Sequence, residues 1–414
     1  MTKSLVRDPS LAPEGRKKIE WARRYMPALN EIEKEFAKTR PFDGVRIATS
    51  VHLEAKTACL ALTLKAGGAE VYATGCNPLS TQDDVAAGLA SLGVNVFAFR
   101  GCNEEEYENQ LALALGGHPH LVLDDGGDLA DLLHGKYAGL ADCLMGGTEE
   151  TTTGVLRLRA RQAAGALKYP VYAVNDADMK HLFDNRYGTG ESVWSALMAT
   201  TNVQLAGKVA VVAGYGWCGR GVAMRAAGLG MRVIVTEIDP VKAIEAVMDG
   251  HSVMTMDDAA PLGDFFVTVT GVRDIIVKRH FDVMKDGAIL SNAGHFDVEV
   301  DVAALREGAV KVIDQRFNIQ GYVQPDGRVL NVIAEGRLCN IAAGNGHPVE
   351  IMDMSFGVQA LALEMMLREH KNLSAAVYEV PREIDARVSA YKLNALGVKI
   401  DKLTDEQSAY LGKY

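Results

Sequence analysis

The sequence has no excess of positive charge, no long apolar run and no secretory signal, and each absence excludes a class of protein. Its 43 Lys and Arg residues are outnumbered by 53 Asp and Glu residues, which gives a formal net charge of −10. Nucleic acids and anionic membrane surfaces select basic patches, so neither partner is expected. No apolar run approaches the ~20 residues that span a bilayer. We therefore expect a cytoplasmic protein with no membrane partner.

Cysteine is scarce, and no two cysteines form a C-x-x-C pair. The six cysteines are Cys59, Cys76, Cys102, Cys143, Cys218 and Cys339. We interpret them as reduced thiols of a cytosolic protein. His118 and His120 flank a proline, but no cysteine or carboxylate cluster lies near them, so a loop is favoured over a metal site. The sequence therefore predicts no metal centre.

Short apolar runs alternate with helical segments along most of the chain. A length of 414 residues gives room for two or three domains, and the alternation is typical of open parallel sheets covered by helices. We predict an α/β protein with two doubly wound domains that join between residues 185 and 192. The predicted strands are 45–48, 69–73, 94–97, 121–123 and 171–174 in the first domain, and 209–213, 233–236, 266–270, 288–291 and 310–313 in the second.

Residues 208–239 have the order strand, glycine turn, helix, strand. In the turn, Gly214 would allow a tight bend, Gly216 would let the backbone approach a pyrophosphate, and Gly219 would let the helix pack against its strand. The start of the helix would hold the phosphates. Glu237 follows about 20 positions later, where an acid holds the adenosine ribose and repels a 2′-phosphate. The stretch therefore predicts an NAD site.

Polar side chains follow several predicted strands, at the edge where such sheets bind ligands. They are His52, Glu54 and Lys56 after the first strand, Asp125 after the fourth, Glu150 and Thr151–Thr153 in a turn that begins at Gly146, Lys180 and Asp184 after the fifth, and His295 and the run Asn340–His347 in the second domain. Each of these residues alone is as consistent with a turn, a cap or a core histidine as with catalysis. Their shared position around one cofactor domain favours an active site.

A series of motifs occurs along the chain in one order. They read SVHLEAKTA, NPLSTQDD, DDGGDL, EETTTGV, VNDADMK with FDN, VAGYGWCGRG, TEIDP, NAGHFDVE, AEGRLCN and GHPVEIM. Through these motifs the chain resembles the S-adenosylhomocysteine hydrolase family over nearly its whole length. So many motifs in one order make the resemblance specific.

The resemblance implies a hydrolase that binds NAD tightly and regenerates it within each turnover. NAD would first take a hydride from the ribose C3′, and the resulting ketone would acidify the neighbouring C4′–H for removal by a base. Homocysteine would leave from C5′ as a thiol, water would add there, and the ketone would be reduced again. The net reaction would be the reversible hydrolysis of a nucleoside thioether, S-adenosyl-L-homocysteine, to adenosine and homocysteine.

The family pattern also implies a role for each candidate residue. Glu150 and Lys180 would serve the 3′-OH with Asp184 beside them, and Lys180 and Asp184 are both candidates for the 4′ proton. A lysine can be this base only if its pKa is lowered toward neutrality. The remaining residues would be His52, Asp125 and His295 for the proton at C5′, Thr151, Thr152, Thr153, Asn185, Gly214, Gly216, Gly219, Glu237 and Asn340 for NAD, and His347 and Met352 for the purine.

Two positions of the purine site depart from the family's usual pattern. Where most animal members carry Thr and Glu, this chain has Glu54 and Lys56. Adenine offers an amino donor and a ring acceptor, which suits a carboxylate at the amino group. Hypoxanthine offers an oxygen acceptor and an N–H donor, which suits a lysine beside the oxygen and a glutamate beside the N–H. S-inosyl-L-homocysteine is therefore an alternative substrate, unless the two side chains pair with each other and Glu54 accepts from adenine.

Two further departures concern the cofactor. Many members continue past the position of Leu411 into a tail that reaches the NAD of a neighbouring subunit, whereas this sequence stops at Lys413 and Tyr414. We expect weaker or more exchangeable NAD for this reason. Trp217 stands in the glycine loop where an acid is common, which leaves the detail of the phosphate turn open.

The resemblance also implies an oligomeric state and a division of the chain into domains. A homotetramer is expected, with residues 1–185 and 349–379 as substrate domain, 190–345 as NAD domain and 380–414 as oligomerisation segment.

Two other functions stay open. A plain dehydrogenase would need only the glycine loop, without the EETTTG and DDGGD runs. An NAD-responsive regulator would keep the fold without the chemistry, but the six candidate catalytic residues together weigh against it.

Overall fold

Two sheets of buried aliphatic strands organise the chain, which this computed structural model describes over residues 4–412. The first sheet contains β1 (Arg46–Ser50), β2 (Glu70–Thr74), β3 (Asn95–Phe97), β4 (Leu121–Asp124), β5 (Gly146–Glu149), β6 (Val171–Ala173) and β15 (Val377–Glu379). Its strand order is 15-6-5-4-1-2-3, and its strand pairs are parallel. The carboxyl ends of all its strands therefore lie at one edge.

The second sheet is parallel except at one edge. It contains β7 (Val209–Ala213), β8 (Arg232–Thr236), β9 (Ser252–Val253), β10 (Phe265–Thr268), β11 (Ile289–Asn292), β12 (Lys311–Arg316), β13 (Ile319–Val323) and β14 (Val329–Ile333). Its order is 12-13-14-11-10-7-8-9, and β12, β13 and β14 pair in antiparallel fashion. Short loops join these three strands, so they form a meander rather than crossovers through helices.

Helices cover both sheets. They are α1 (Ala12–Arg24), α2 (Pro27–Thr39), α3 (Ala55–Ala66), α4 (Asp83–Ser91), α5 (Glu104–Leu115), α6 (Asp128–His134), α7 (Thr152–Ala163), α8 (Asp178–Lys180), α9 (Thr189–Thr201), α10 (Trp217–Gly228), α11 (Pro240–Met248), α12 (Met256–Ala259), α13 (Lys278–Phe281), α14 (Val302–Gly308), α15 (Cys339–Ala342), α16 (Val349–Glu369), α17 (Arg382–Ala395) and α18 (Asp405–Leu411). A π-helical segment, His181–Gly188, joins α8 to α9. Among residues 4–412 no helix is long and apolar enough to cross a membrane.

The predicted fold class is confirmed, and all ten predicted strands occur, with boundaries that coincide at 209–213 and differ by at most three residues elsewhere. The prediction of a turn at Gly146 was wrong, because residues 146–149 form β5 in the middle of the first sheet. A Cβ atom at Gly146 would collide with Met366 of α16, and one at Gly147 would collide with Val122 of β4. These glycines therefore permit close packing rather than a turn. Lys413 and Tyr414, on which the expectation of weaker NAD binding rests, lie outside the described residues.

One buried carboxylate ties three helices together behind the first sheet. Asp353 of α16 is fully buried and accepts hydrogen bonds from the backbone N–H groups of Ala28 and Leu29, at 3.2 and 2.8 Å, at the start of α2. Lys392 of α17 donates to the same carboxylate at 2.8 Å. The ammonium group and the positive end of the α2 dipole together offset the cost of burying this charge.

We expect Asp353→Ala to lower the free energy of unfolding by about 3 kcal/mol or more, because it leaves two buried N–H groups without an acceptor and the Lys392 ammonium without its counter-charge. Denaturant titration followed by circular dichroism measures the change. Glu31→Ala is the control, because Glu31 of α2 makes only an exposed pair with Lys34 and its loss costs a few tenths of a kcal/mol. Equal unfolding midpoints for the two variants would contradict this account.

Candidate active site

One cavity of about 1340 Å³ is lined by residues that follow the strands of both sheets. It contains every candidate site residue named from the sequence except Gly219. The carboxyl ends of β1, β4, β5 and β6 in the first sheet and of β7, β8, β10 and β11 in the second contribute to it. Two parallel sheets thus deliver their ligand-binding edges to the same space.

The glycine loop has the geometry of a dinucleotide site. Gly214 has a φ of 102°, which favours glycine, and a Cβ atom at Gly219 would collide with the carbonyl oxygen of Gly214. Nothing lies within 4 Å of the place where a Cβ of Gly216 would stand. Helix α10 begins at Trp217, so its free N–H groups face this open space. The three glycines therefore have backbone geometry that is compatible with the three roles that the sequence predicts.

Two polar side chains are set to hold the ends of a dinucleotide. Glu237 accepts backbone hydrogen bonds from Tyr215 and Ile238 at 2.7 Å, which fix its carboxylate at the end of β8. Asn340 donates to Ser192 at 3.0 Å, but its buried Oδ1 has no partner in the described chain. A carboxamide N–H, such as that of nicotinamide, would satisfy this oxygen. The residues therefore fit NAD.

The other cofactor candidates are partly engaged within the protein. Thr151 caps α7, and its hydroxyl donates to Glu149 and accepts from Gly154. Asn185 accepts from Lys180 at 2.7 Å and donates to Asn175 at 3.1 Å. Asn185 therefore orients a lysine in this structure, whereas the sequence assigns it to NAD.

Lys180 lies between two carboxylates, and we call Lys180, Glu150 and Asp184 the lysine cluster. The Lys180 ammonium is 3.8 Å from Glu150 and 3.8 Å from Asp184. Burial alone would lower the pKa of Lys180, but Asp184 and Glu150 raise it, and the net direction is upward. The condition for a neutral lysine base, a pKa lowered toward neutrality, is therefore not met in this structure.

The two carboxyl groups of the lysine cluster differ in charge. Burial raises the pKa of Glu150 to about 8 against the opposing effect of Lys180. Burial also acts to raise the pKa of Asp184, but Lys180 and His347 hold it well below its ordinary value. Asp184 is therefore an ionised carboxylate at neutral pH, while Glu150 exchanges its proton near neutral pH.

His347 lies against the lysine cluster, although the sequence assigns it to the purine. Its Nδ1 is 2.8 Å from Asp184, and its Nε2 is 3.3 Å from the hydroxyl of Thr189. Ser355 of α16 donates to the same Asp184 carboxylate at 2.7 Å. These contacts fix the orientation of Asp184.

His52, Asp125 and His295 come together as predicted, with Cys76 among them, and we call these four residues the histidine cluster. The Asp125 carboxylate is 3.7 Å from Nε2 of His52 and 3.8 Å from Nδ1 of His295. Burial lowers the pKa of His52 to about 3 and raises that of the Cys76 thiol well above its ordinary value. Both are therefore uncharged at neutral pH.

Cys76 is a site residue that the sequence analysis missed. It follows β2 at the same sheet edge as His52 and Asp125, so the rule that located those residues applies to it as well. Its Sγ is 3.2 Å from Nδ1 of His52 and 3.3 Å from Oδ2 of Asp125. The sequence alone identifies it only as a reduced thiol.

Glu54 and Lys56, which the family resemblance assigns to the purine, form a buried ion pair. Their charged atoms are 2.9 Å apart, and the same Glu54 oxygen accepts the backbone N–H of Lys56 as the cap of α3. The Lys56 ammonium also donates to the carbonyl of Asn345 at 2.9 Å. One Glu54 oxygen and one Lys56 N–H thus stay available, and Met352 lines the same cavity.

A buried carboxyl pair supports the loops that carry Asp125 and Glu150. Asp124 and Glu149 are register partners on β4 and β5. Glu149 Oε1 accepts the backbone N–H groups of Gly126 and Thr151 at 2.9 Å, while its Oε2 has no partner among the described residues. Burial and Asp124 raise the pKa of Glu149 well above its ordinary value, and burial raises that of Asp124 to about 7. The pair therefore holds a proton, which we place on Glu149 Oε2.

We expect Glu149→Gln to fold and turn over like the wild type, because an amide keeps the acceptor oxygen and supplies a hydrogen at the other position. Glu149→Leu leaves the backbone N–H groups of Gly126 and Thr151 without an acceptor and should lower the free energy of unfolding by about 3 kcal/mol. A raised pKa in the folded state contributes stability that is lost as pH rises through it, so the Gln variant should resist alkaline unfolding better. Thermal melts between neutral and alkaline pH measure this. A Gln variant as unstable as the Leu variant would mean that Glu149 is ionised.

The site can now be compared with known proteins. The sequence profile of S-adenosyl-L-homocysteine hydrolase matches residues 3–138, and that of its NAD binding domain matches residues 185–346. The chain is 55% identical over 406 residues to the adenosylhomocysteinase of Pyrococcus abyssi, which covers 98% of this chain and 96% of that protein. It is 54% identical over 407 residues to the S-inosyl-L-homocysteine hydrolase of Methanopyrus kandleri, with the same coverage. It is also 55% identical over 410 residues to the adenosylhomocysteinase of Aquifex aeolicus, covering 99% of this chain and 98% of that protein. The chain therefore belongs to the S-adenosyl-L-homocysteine hydrolase family, as an NAD-binding hydrolase.

Proposed function

We propose that the protein hydrolyses S-adenosyl-L-homocysteine to adenosine and homocysteine. The observation that carries this proposal is one cavity that is lined by the glycine loop, by the lysine cluster and by His52, Asp125 and His295 of the histidine cluster. A dehydrogenase would need the first two features only. The histidine cluster supplies proton-transfer groups that hydrolysis at C5′ needs in addition.

The lysine cluster would act on the ribose. NAD, when bound, supplies the acceptor for the C3′ hydride and returns that hydride after hydrolysis. Glu150 accepts the proton of the 3′-OH, since its raised pKa makes its carboxylate a stronger base than an ordinary glutamate. The Lys180 ammonium stabilises the negative charge that develops on the 3′ oxygen.

Two groups of this cluster are candidates for the 4′ proton. An ammonium has no free electron pair, whereas the ionised carboxylate of Asp184 does. His347 and Ser355 hold that carboxylate in a fixed orientation. Asp184 can therefore accept a proton but is a weak base, because Lys180 and His347 hold its pKa low, whereas Lys180 is a base only once it has given up a proton. Both groups stay candidates for the 4′ proton.

We expect kcat/KM for the thioether to rise with pH through about 8, because Glu150 must be ionised to act as the base. Gln359 donates a hydrogen bond to this carboxylate and so lowers its pKa. Gln359→Leu should therefore move the rise to higher pH, and Glu150→Gln should abolish the oxidation step. The pH dependence of homocysteine release measures both effects. A profile that is the same in wild type and Gln359→Leu would remove Glu150 from this role.

The purine preference depends on the Glu54–Lys56 pair. Lys56 is held by Glu54 and Asn345, so its ammonium group neutralises the Glu54 carboxylate. The second oxygen of that carboxylate is free to accept a hydrogen bond from the adenine amino group. The same pair offers a donor and an acceptor to hypoxanthine if the base shifts by one position. S-inosyl-L-homocysteine is therefore the second candidate substrate, and proteins of both names are equally similar to this chain.

We expect kcat/KM to favour the adenosyl over the inosyl thioether by about tenfold or more, because a base in the wrong register leaves a buried polar group unpaired at a cost of about 1–3 kcal/mol. Homocysteine release from the two thioethers under identical conditions gives the ratio. A hundredfold preference for the adenosyl compound eliminates the second candidate. Equal or faster release from the inosyl compound reverses the assignment.

We also propose that the active protein is a cytoplasmic homotetramer, with residues 1–185 and 349–379 as substrate domain and 190–345 as NAD domain. Helix α17 packs on α2 and α16 of its own chain, but apolar side chains beyond it are 48–68% exposed. They are Leu396, Val398, Ile400, Leu403, Tyr410 and Leu411. An apolar segment of this kind supports the proposal that residues 380–414 pack between subunits.

Sedimentation of the purified protein should show a tetramer, and the double variant Leu403→Asp with Leu411→Asp should sediment as a smaller species. Two buried charges at the proposed contact would cost more than the contact contributes. Trp21→Asp on α1 is a control, because that side chain is 58% exposed outside the proposed segment. A double variant that sediments like the wild type would remove the segment from the assembly.

A further inference from the structure

Cys76 occupies a position in the histidine cluster to which the reaction outlined above gives no task. It is 4% exposed and lies at the carboxyl end of β2, between His52 and Asp125. A thiol carries one hydrogen, so it can donate to only one of these two neighbours. The position of that hydrogen decides which nitrogen of His52 carries a proton.

The possible arrangements can be compared by counting hydrogen bonds. If the thiol donates to Asp125 at 3.3 Å, Nδ1 of His52 can donate its own hydrogen to the sulfur at 3.2 Å, and two hydrogen bonds form. If the thiol donates to Nδ1 instead, the remaining hydrogen of His52 sits on Nε2. Nε2 is 3.7 Å from Asp125, which is too far for a hydrogen bond, so only one forms.

The first arrangement is also favoured by charge. A carboxylate is a stronger acceptor than a neutral imidazole nitrogen. The sulfur of the protonated thiol keeps electron pairs that can accept weakly from Nδ1–H. The lone pairs of Asp125 and of the sulfur would otherwise face each other at 3.3 Å without an intervening hydrogen.

We propose that Cys76 is a positioning residue for proton transfer at C5′, which fixes His52 in the tautomer that carries its hydrogen on Nδ1 and leaves Nε2 unprotonated. This inference rests on the proposed function. In the hydration step, the C5′–O bond forms and one O–H bond of water breaks, while the electron pair of the double bond moves to C4′. Nε2 of His52 takes the water proton and passes it to solvent, which balances the proton that the homocysteine thiolate, already released from C5′, takes up from solvent. The base that removed the C4′ proton returns it to C4′. The other tautomer would present an N–H to the water and could not accept.

The tautomer can be measured directly on the full-length protein by NMR of protein labelled with ¹⁵N-histidine, with His52→Gln identifying the His52 signals. The wild type should show a protonated Nδ1 and a bare Nε2 for His52. Cys76→Ala should show a mixture of tautomers or the reverse form, and Cys76→Ser, which keeps one donor and one acceptor, should restore the wild-type form at least in part. An unchanged His52 signal in Cys76→Ala overturns the proposal.

Turnover separates this role from general packing. With S-adenosyl-L-homocysteine, Cys76→Ala should release homocysteine at least about tenfold more slowly than the wild type, while reduced cofactor still forms at the wild-type rate, because the lysine cluster is untouched. Cys76→Ser should recover part of the loss. Equal losses in cofactor reduction and homocysteine release would indicate a merely structural role and overturn the proposal.

Two controls keep the outcomes distinct. His52, Cys76 and Asp125 place their ligand atoms within 4.8 Å of one another, so spectra are recorded before and after a chelator. A His52 signal that changes on chelation would assign the three side chains to a metal and overturn the proposal. If the wild type fails to hydrolyse the thioether, the proposed function fails, whereas the tautomer measurement still decides the arrangement of protons.

Discussion

The electrostatic interaction between the buried Lys180 ammonium and the two carboxyl groups beside it sets the charge state of the whole site. Without Lys180, the burial of Glu150 and Asp184 would favour neutral acids at both positions. With it, Asp184 stays ionised and Glu150 exchanges its proton near neutral pH. The same carboxylates keep Lys180 protonated. Each member of the lysine cluster therefore owes its chemical state to the others.

This arrangement depends on α16, which runs behind the first sheet and contacts both carboxyl groups of the lysine cluster. Ser355 and Gln359 donate to the two carboxyl groups of the lysine cluster, and they lie four residues apart on one helix face. Two residues before Ser355, Asp353 joins the same helix to the start of α2 and to the last turn of α17. A helix that is fixed at several points can hold the polar groups of an active site within the small tolerances that catalysis needs.

Much of this could be predicted from the sequence, for identifiable reasons. The glycine loop and Glu237 were predictable because each glycine answers a local steric need. His52, Asp125 and His295 were predictable because the ends of parallel strands meet at one edge. The structure brings both histidines within 4 Å of the Asp125 carboxylate.

What the sequence could not supply is the pairing of side chains across long separations. Asp184 with His347 and Lys56 with Asn345 each join distant segments, and neither contact leaves a local pattern. The charge of Lys180 depends on Glu150, which follows a different strand, as well as on Asp184 four residues along the chain. The sequence could therefore state the lowered pKa of Lys180 only as a condition. Strand β5 was missed because its two glycines favour a turn when read alone, while the packing of Met366 and Val122 explains them.

The central claim is that a hydride leaves C3′ and returns to the same carbon while the C4′ hydrogen is exchanged and the C5′–S bond is broken. The most direct measurement uses S-adenosyl-L-homocysteine labelled with deuterium at C3′ in ordinary water, and unlabelled substrate in heavy water, with mass spectrometry of the adenosine formed. The account predicts that the C3′ deuterium is retained in the product and that deuterium enters at C4′ from heavy water. Loss of the C3′ label, or adenosine without solvent deuterium at C4′, would contradict it.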